Sequence, residues 1–202
     1  MKQLFIVLCA AVIILGSTGL AQAVVYIDFE TDTIGAKPNG WTSNDSALVH
    51  FSDSNGANLD LYDYGDQGDG KSLAVNPDDM SQLIMDFDTF FTSMSLDFGN
   101  DDPGWINAGE LAILTLFNGV TQVGQSTVGV NANDIMDQTI SYSGNAFNKA
   151  TFYYEALLRQ RGGLIEVVDH ITLGGGAQIP EPASMMLLAS GLVGIAGLRR
   201  RK

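Results

Sequence analysis

Cysteine and histidine are scarce in this chain of 202 residues, which contains one cysteine and two histidines. A zinc site of the cysteine–histidine type needs more ligands than these, so the composition argues against one. The single cysteine, Cys9, lies in an apolar N-terminal run and follows Leu8, whereas a lipoprotein signal needs a small residue there. Without that run the chain has no thiol, which excludes disulfides and a cysteine nucleophile.

Basic residues are also few. Ten lysines and arginines stand against 23 acidic residues, and the formal net charge is −13. Because nucleic-acid binding needs clustered positive charge to neutralise phosphates, we expect no nucleic-acid partner. Of the acidic residues, 18 are aspartates, which favour turns and calcium loops, and only five are glutamates, which favour helices.

The N-terminus has the pattern of an export signal. Lys2 gives a positive start, Leu4–Leu15 is an almost unbroken apolar run, and Ala21-Gln22-Ala23 fits a small-x-small cleavage pattern. The alternative is a retained membrane anchor, but spanning a bilayer needs about 20 apolar residues and this run is shorter. We therefore predict a signal peptide over residues 1–23 and an exported mature chain.

Three unlike elements follow one another at the C-terminus. They are a Pro-Glu-Pro, an uncharged apolar run and a basic end, formed by Pro180, Glu181, Pro182, Ala183–Leu198, Arg199, Arg200, Arg201 and Lys202. The run would be about 24 Å long as a helix, and snorkelling arginines can make up the difference to a hydrocarbon core of about 30 Å. The basic end stays in the cytoplasm, which leaves the main domain outside. An ordinary tail anchor is the alternative.

This C-terminal segment closely resembles the PEP-CTERM protein-sorting signal, a segment also known as an ice-binding protein C-terminal domain. The resemblance covers residues 179–202 and implies a partner, an exosortase, which recognises the tail and cuts near the Pro-Glu-Pro. It also implies a Gram-negative host that makes extracellular polysaccharide. The precursor would be anchored transiently in the inner membrane, and the product would reach the cell surface or the extracellular space.

Residues 24–173 have the pattern of one β-sandwich domain. Apolar residues alternate with polar ones in several stretches, at Val25, Ile27, Phe29, Leu83, Met85, Phe87, Met94, Leu96, Phe98, Ile140 and Tyr142. Roughly ten such strands and almost no helix predict an all-β, jelly-roll-like sandwich between the signal helix and the C-terminal hydrophobic helix. We predict a linker over residues 174–179 and a sorting segment with its transmembrane helix over residues 180–202.

Some stretches of this domain predict particular structural elements. Leu111–Phe117 is apolar on both faces, as in a central strand, and Asn118-Gly119 after it is a strong hairpin signal. Residues 150–158 are compatible with a strand or with the start of a helical turn. Residues 40–80 are rich in Asn, Asp, Ser and Gly, which predicts long loops around short strands.

The domain also resembles the β-sandwich ectodomains that often accompany this tail. The matching stretches are Asp28-Phe29-Glu30, Ser95–Asp102 and Val167–Ile171. The resemblance implies a jelly roll of the carbohydrate-binding type. Modules of that type commonly tie their first and last strands together through a structural calcium ion.

Asp169 is the first candidate site residue. It shares its parity with Ile165, Val167, Ile171 and Leu173, which places a carboxylate on an apolar face at a high cost unless something compensates it. Backbone donors, a cation or a bulge that turns it outward would each do so. We predict a structural Ca²⁺ site that uses Asp169 with Glu30 or Asp28, because calcium prefers oxygen ligands. The alternative is that Asp169 accepts backbone hydrogen bonds at a strand end.

Two further candidates are an acidic segment and two tryptophans. Four aspartates, at positions 60, 63, 66 and 69, alternate with tyrosines and glycines, either as an oxygen-ligand loop or as a solvated acidic loop. The segment is not an EF-hand, since Ala74 stands where the bidentate glutamate belongs. Trp41 and Trp105 each follow a turn, so each is a candidate ligand-binding platform for a sugar ring or a residue that covers the core.

Enzyme motifs are absent from the sequence. It has no GxSxG, no phosphate-binding loop and no nucleotide fingerprint. We therefore predict a non-enzymatic surface or extracellular-matrix protein that binds polysaccharide, with neutral glycans favoured because the acidic surface repels anionic ones. The alternatives are a secreted carbohydrate-active enzyme on a jelly-roll scaffold and a purely structural matrix protein.

Overall fold

The computed structural model describes residues 24–65, 69–75, 81–100, 109–131, 133, 135–155 and 166–175. All of them belong to one compact unit, Ala23–Ala177. The predicted signal peptide, the sorting segment with its predicted helix, and Trp105 lie outside the described residues.

The described residues form eleven β-strands and no helix, so the predicted all-β class is confirmed. The strands are β1 (Val25–Ile27), β2 (Gly35–Lys37), β3 (Trp41–Ser43), β4 (Ser46–Asp53), β5 (Leu59–Gly65), β6 (Gly70–Val75), β7 (Leu83–Asn100), β8 (Leu111–Asn118), β9 (Thr121–Gly129), β10 (Gln138–Glu155) and β11 (Glu166–Gly174). Every strand pair is antiparallel.

Two long strands, β7 and β10, pass through both halves of a sandwich. The first half of β7 pairs with β4 and with the second half of β10, which pairs in turn with β8. We call this half sheet A, with the order β3-β4-β7-β10-β8-β9. The second half of β7 lies between the first half of β10 and β11. This half, sheet B, has the order β10-β7-β11-β6-β5-β2, and β1 also pairs with β11.

A change of parity keeps the apolar side chains of β7 inside as the strand passes between the sheets. The buried residues are odd-numbered up to Phe91 and even-numbered from Met94 to Phe98. This change coincides with irregular pairing to β10, where the register shifts on both sides of Phe147. A bulge of this kind bends a strand and reverses the face of the residues after it.

Aromatic side chains join the two sheets in the core. The ring of Phe98 on sheet B lies 5.5 Å from that of Phe152 and 6.2 Å from that of Tyr154, both on the sheet A half of β10. The buried Tyr154 hydroxyl donates a hydrogen bond to the Gly99 carbonyl. The predicted inward residues of β7 are all buried, which confirms those alternations.

The prediction of long loops over residues 40–80 is wrong. Strands β3 to β6 occupy most of the described part of this segment, because its polar residues are satisfied inside the sheet structure. Asp53, which is buried, accepts hydrogen bonds from the backbone of Asn55 and from the Ser81 hydroxyl. Small polar residues here close short turns between strands and do not interrupt the sheet.

Two glycine-containing segments refine the predicted boundaries. The hairpin after β8 is present, but its turn residues are Gly119 and Val120, and Gly119 has a left-handed φ of 60°. Strand β11 ends at Gly174, one residue beyond the predicted domain end. A Cβ at Gly174 would lie 2.7 Å from the Ser93 hydroxyl, so this glycine permits close strand packing.

Candidate functional site

A bulge in β11 places Asp169 on the face of sheet B that points away from the core, which we call the outer face of sheet B. Val168 pairs with the core residue Phe98, and Asp169 pairs with Asp97. The register then shifts between Asp169 and Thr172, and His170 has a left-handed φ of 46°. The carboxylate therefore does not share the face of the core residues that follow it, although its sequence parity predicts that it does.

Asp169 is nevertheless fully buried. Its Oδ1 accepts the His170 backbone N–H at 2.7 Å, and its Oδ2 accepts the Ser72 hydroxyl at 3.3 Å. Burial raises the pKa of Asp169 to about 7; the hydrogen bonds from His170 and Ser72 lower it, and the negative charge of Glu30 raises it further. Two of the three expected compensations, the bulge and a backbone donor, are present, but Asp169 lies within β11 and not at a strand end.

The negative charge of Glu30 acts on Asp169 and raises its pKa, which within the described residues is the one interaction that links these two predicted ligands. Glu30 Oε1 accepts the Lys71 backbone N–H at 2.8 Å, and a Cβ at Gly70 would lie 2.3 Å from that oxygen. The Lys71 ammonium donates to the backbone carbonyls of Glu30 and Asp32, at 2.6 and 3.0 Å.

Asp28 has a more local role. Its Oδ1 accepts the Glu30 backbone N–H at 3.2 Å, and this contact is exposed to solvent. Within the described residues no three or more Asp, Glu, His or Cys side chains are grouped as metal ligands. A calcium ion at Glu30 and Asp169 would therefore need backbone carbonyls among its oxygen ligands, which calcium accepts.

A second polar cluster lies on the same outer face. Asp97 Oδ2 is 3.1 Å from Nδ1 of His170, and Asp97 Oδ1 accepts the Thr139 hydroxyl. The Tyr26 ring stacks on the His170 ring, with 6.1 Å between centroids and 10° between planes. Burial and the negative charges of Asp28, Asp169 and other carboxylates raise the pKa of Tyr26.

Sequence reasoning did not identify this second cluster as a site. Tyr26 is 50% exposed and occupies the polar position of the alternating β1 pattern. A large aromatic residue at a solvent-facing position was the available signal. The pairing of His170 with Asp97 could not be found, since it depends on the bulge and on strands far apart in the sequence.

Trp41 is attached to the core more closely than a free platform would be. Its half-buried ring lies 6.2 Å from that of Phe29 and 5.9 Å from that of Phe51. The Lys37 ammonium lies 5.1 Å from the ring centroid. The role of Trp41 in ligand binding stays a prediction, as does that of Trp105.

The predicted acidic loop is in part a strand, because β5 contains Asp60 and Asp63. Tyr62 and Tyr64 alternate with these aspartates, and their rings meet edge to face at 5.9 Å. Tyr62 is 54% exposed. A cleft of about 490 Å³ is lined by Gly65, Asp69, Gly70, Ile135 and Met136.

Residues 178–202 match the model of the PEP-CTERM protein-sorting motif, which confirms the predicted sorting signal. The match includes the Pro-Glu-Pro and the basic end. A motif of this kind implies an exported protein that an exosortase sorts at the membrane. In the described part of the chain no helix is long and apolar enough to cross a membrane.

Several solved structures have a similar fold, and three serve as examples. The first is a variant of the family 29 carbohydrate-binding module CBM29-2 in complex with cellulohexaose, with 15% identity over 76% of this chain and 92% of that chain, at a TM-score of 0.41. The second is a DUF4465 family protein from Bacteroides caccae, with 12% identity over 75% and 98% of the two chains, at a TM-score of 0.44.

The third example is an arabinose-bound α-L-arabinofuranosidase, with 13% identity and a TM-score of 0.42. The likeness covers 74% of this chain but only 26% of that enzyme. A comparison with curated protein sequences gave no significant match.

The buried Asp169 carboxyl predicts a pH-dependent stability in metal-free buffer. Its pKa is about 7 in the folded chain and 3.8 when unperturbed, so the folded state binds the proton more tightly. The resulting stabilisation is complete below about pH 4 and is lost as the pH rises to about 7. We expect Asp169→Asn, which cannot ionise, to be more stable than the wild type at pH 7 by a few kcal/mol, with a much smaller difference at pH 4.

Urea unfolding of both chains at a series of pH values, with a chelator present, measures this difference. The comparison between the two chains cancels the titration of the other carboxylates. An equal difference at pH 4 and pH 7 would contradict the prediction.

Proposed function

We propose that this protein is an exosortase-processed cell-surface or extracellular protein whose β-sandwich binds a neutral glycan without turning it over. The PEP-CTERM motif at residues 178–202 carries the first half of the proposal. After signal cleavage and exosortase processing, the sandwich would be released from its transient inner-membrane anchor. The domain would then act where extracellular polysaccharide is found.

Exposed aromatic rings on one sheet face support the binding half. Tyr26 and Tyr62 are about half exposed, and both lie on the outer face of sheet B, beside carboxylates. A flat ring can cover the apolar side of a sugar, and carboxylate oxygens can accept hydrogen bonds from its hydroxyls. A purely structural matrix component has no need for exposed rings at these positions.

The chemistry available at the outer face favours binding over catalysis. The pairing of Asp97 with His170 Nδ1 has the form of the base-orienting half of a hydrolase triad. Within the described residues, however, no hydroxyl or thiol nucleophile is hydrogen-bonded to the His170 ring. The second candidate, a carbohydrate-active enzyme, would need such a group or a pair of carboxylates on either side of one bond.

Some of the structurally similar proteins are described as carbohydrate-binding modules, and one was studied with cellulohexaose. The likeness is low, so the proposal rests on the side chains of this chain. Their charge makes the choice of glycan more specific. Residues 24–179 contain five basic and 22 acidic residues. This excess of negative charge repels uronate-containing or phosphorylated polymers unless calcium bridges the polymer and the protein.

We propose calcium as the cofactor, bound at Asp169 and Glu30. The buried carboxylate of Asp169 and the carboxylate of Glu30 interact unfavourably, and burial already disfavours the charged form of Asp169. A divalent cation between them would reverse both effects, with backbone carbonyls completing its oxygen ligands. The Lys71 ammonium on the carbonyls of Glu30 and Asp32 shows that this segment presents oxygens to a cation.

The proposed sorting by an exosortase predicts the effect of removing the basic C-terminal end. Deleting Arg199–Lys202 should leave the protein exported but wrongly processed, because the motif acts as one unit. Fractionation and immunoblotting of the host, with the intact chain as control, measure location and mature size. A truncated chain with the same location and the same mature size would contradict the sorting reading.

The proposed calcium site predicts that the metal stabilises the folded chain. Calcium added to the metal-free chain should raise its stability by about 2.7 kcal/mol at roughly a hundred times the Kd. Asp169→Asn should lose most of this gain. Asp86→Asn is the control, since Asp86 is an exposed carboxylate on sheet A that pairs with Lys149 at 3.3 Å. Thermal melts with and without calcium measure the gain, and an equal gain in all three chains would contradict the site.

The proposed glycan binding predicts that the protein retains neutral glycans and does not cleave them. On an array of neutral and anionic glycans, the full chain should bind neutral ones and release no product. Trp105→Ala should weaken retention, whereas Trp41→Ala should mainly lower the melting temperature, because its ring packs on Phe29 and Phe51. Hydrolysis of a glycan by the purified protein, abolished by a single Asp or Glu substitution, would contradict the proposal that the protein is not an enzyme.

A further inference from the structure

We propose that Tyr26, His170, Asp97 and Thr139 form a binding site for one pyranose ring of a neutral glycan. The inference rests on the proposed function and places it at a specific point on the outer face of sheet B. These residues come from four strands, β1, β11, β7 and β10, which the fold brings side by side.

The aromatic part of the site is a stacked pair of rings. Tyr26 and His170 are nearly parallel, with 10° between their planes and 6.1 Å between centroids. The stack holds the Tyr26 ring in one orientation, while half of the residue remains exposed to solvent. A ring that is fixed before binding loses little side-chain entropy when a sugar packs on it.

The polar part of the site is a chain of hydrogen bonds that fixes the imidazole. Oδ2 of Asp97 lies 3.1 Å from Nδ1 of His170, and Oδ1 of Asp97 accepts a hydrogen bond from the Thr139 hydroxyl. A carboxylate at Nδ1 favours the tautomer with the proton on that nitrogen, which leaves Nε2 as an acceptor. Within the described residues Nε2 makes no hydrogen bond. The side chains of His170 and Asp97 are 30% and 32% exposed, so a sugar hydroxyl can reach them.

The backbone at His170 shows that the arrangement is held at a cost. A left-handed φ of 46° is uncommon for a residue other than glycine, and it occurs where β11 bulges. Bulges re-aim side chains next to functional sites. Here the bulge turns the imidazole toward Asp97 and under the Tyr26 ring.

Charge selects the class of glycan. Carboxylates at Asp28, Asp45, Asp97 and Asp169 all act on Tyr26. Their combined field disfavours a uronate or phosphate at this ring, whereas the partly exposed oxygens of Asp97 can accept hydrogen bonds from neutral hydroxyls. The site therefore fits a neutral hexopyranose or pentopyranose unit.

Affinity electrophoresis of the full chain tests the site, in gels that contain hydroxyethylcellulose, galactomannan, mixed-linkage β-glucan or alginate. We expect retardation in at least one neutral gel and none in alginate. Tyr26→Ala and His170→Asn should each weaken that retardation about tenfold, since loss of one stacked ring or one fixed acceptor is of this order. Asparagine is chosen at position 170 because it tolerates a left-handed φ. Tyr26→Phe should retain binding.

Phe90→Ala is the matched control, because Phe90 is an exposed aromatic residue on β7 that lies outside this site. Melting curves confirm that each variant is folded, and Thr139→Val, at an exposed position, is a milder second test of the Asp97–His170 arrangement. Unchanged retardation in Tyr26→Ala and His170→Asn, with loss in Trp105→Ala or Tyr62→Ala, would overturn this site and leave the proposed function standing. A wild-type chain that no neutral gel retards would overturn the proposed function itself.

Discussion

The pairing of β7 with β10 is the constraint on which the rest of the structure depends. Both strands are 18 residues long and belong to both sheets, so the sandwich is closed by continuous chain and by side-chain packing together. Their bulges near Phe91 and Phe147 turn the apolar residues inward on each side of the bend. Phe98 then reaches Phe152 and Tyr154 across the core. With that frame fixed, β11 can carry a costly irregularity, because β7 on one side and β6 with β1 on the other hold it in place.

The irregularity at Asp169 and His170 connects both candidate sites. One shift of register moves a carboxylate from the core face to the outer face, where it accepts hydrogen bonds from Ser72 and the His170 backbone, and turns the next side chain toward Asp97. Five side chains on neighbouring strands form one continuous row across the outer face, each paired with or hydrogen-bonded to the next. In order they are Tyr62, Ser72, Asp169, Asp97 and Thr139. A ligand on this row would meet aromatic, hydroxyl and carboxylate groups on neighbouring strands. The row is therefore continuous between the proposed metal ligands and the proposed glycan site.

The sequence was informative wherever a property depends on local order. Alternation located the inward residues of β7, the Asn-Gly pair located the β8–β9 hairpin to within one residue, and the tail motif was complete in itself. Polar composition misled over residues 40–80, since buried partners such as Ser81 for Asp53 are distant in sequence. Parity alone could not decide the face of Asp169, because a single bulge reverses it. The outer-face cluster of Tyr26, His170 and Asp97 is a product of tertiary pairing, and its one local signal is the aromatic Tyr26 at a solvent-facing position of β1.

Besides the proposed calcium ion, two cations act on the oxygens of Asp169, Glu30 and Asp32, namely a proton and the Lys71 ammonium. A proton neutralises Asp169 itself, since its pKa is about 7. The Lys71 ammonium occupies the carbonyls of Glu30 and Asp32, which a calcium ion could also use. The proposed divalent ion would satisfy the charges of Asp169 and Glu30 together, so its binding should displace the proton and lengthen the contacts of Lys71. With the proposed calcium site, the buried carboxylate of Asp169 would be the group through which metal binding stabilises the fold.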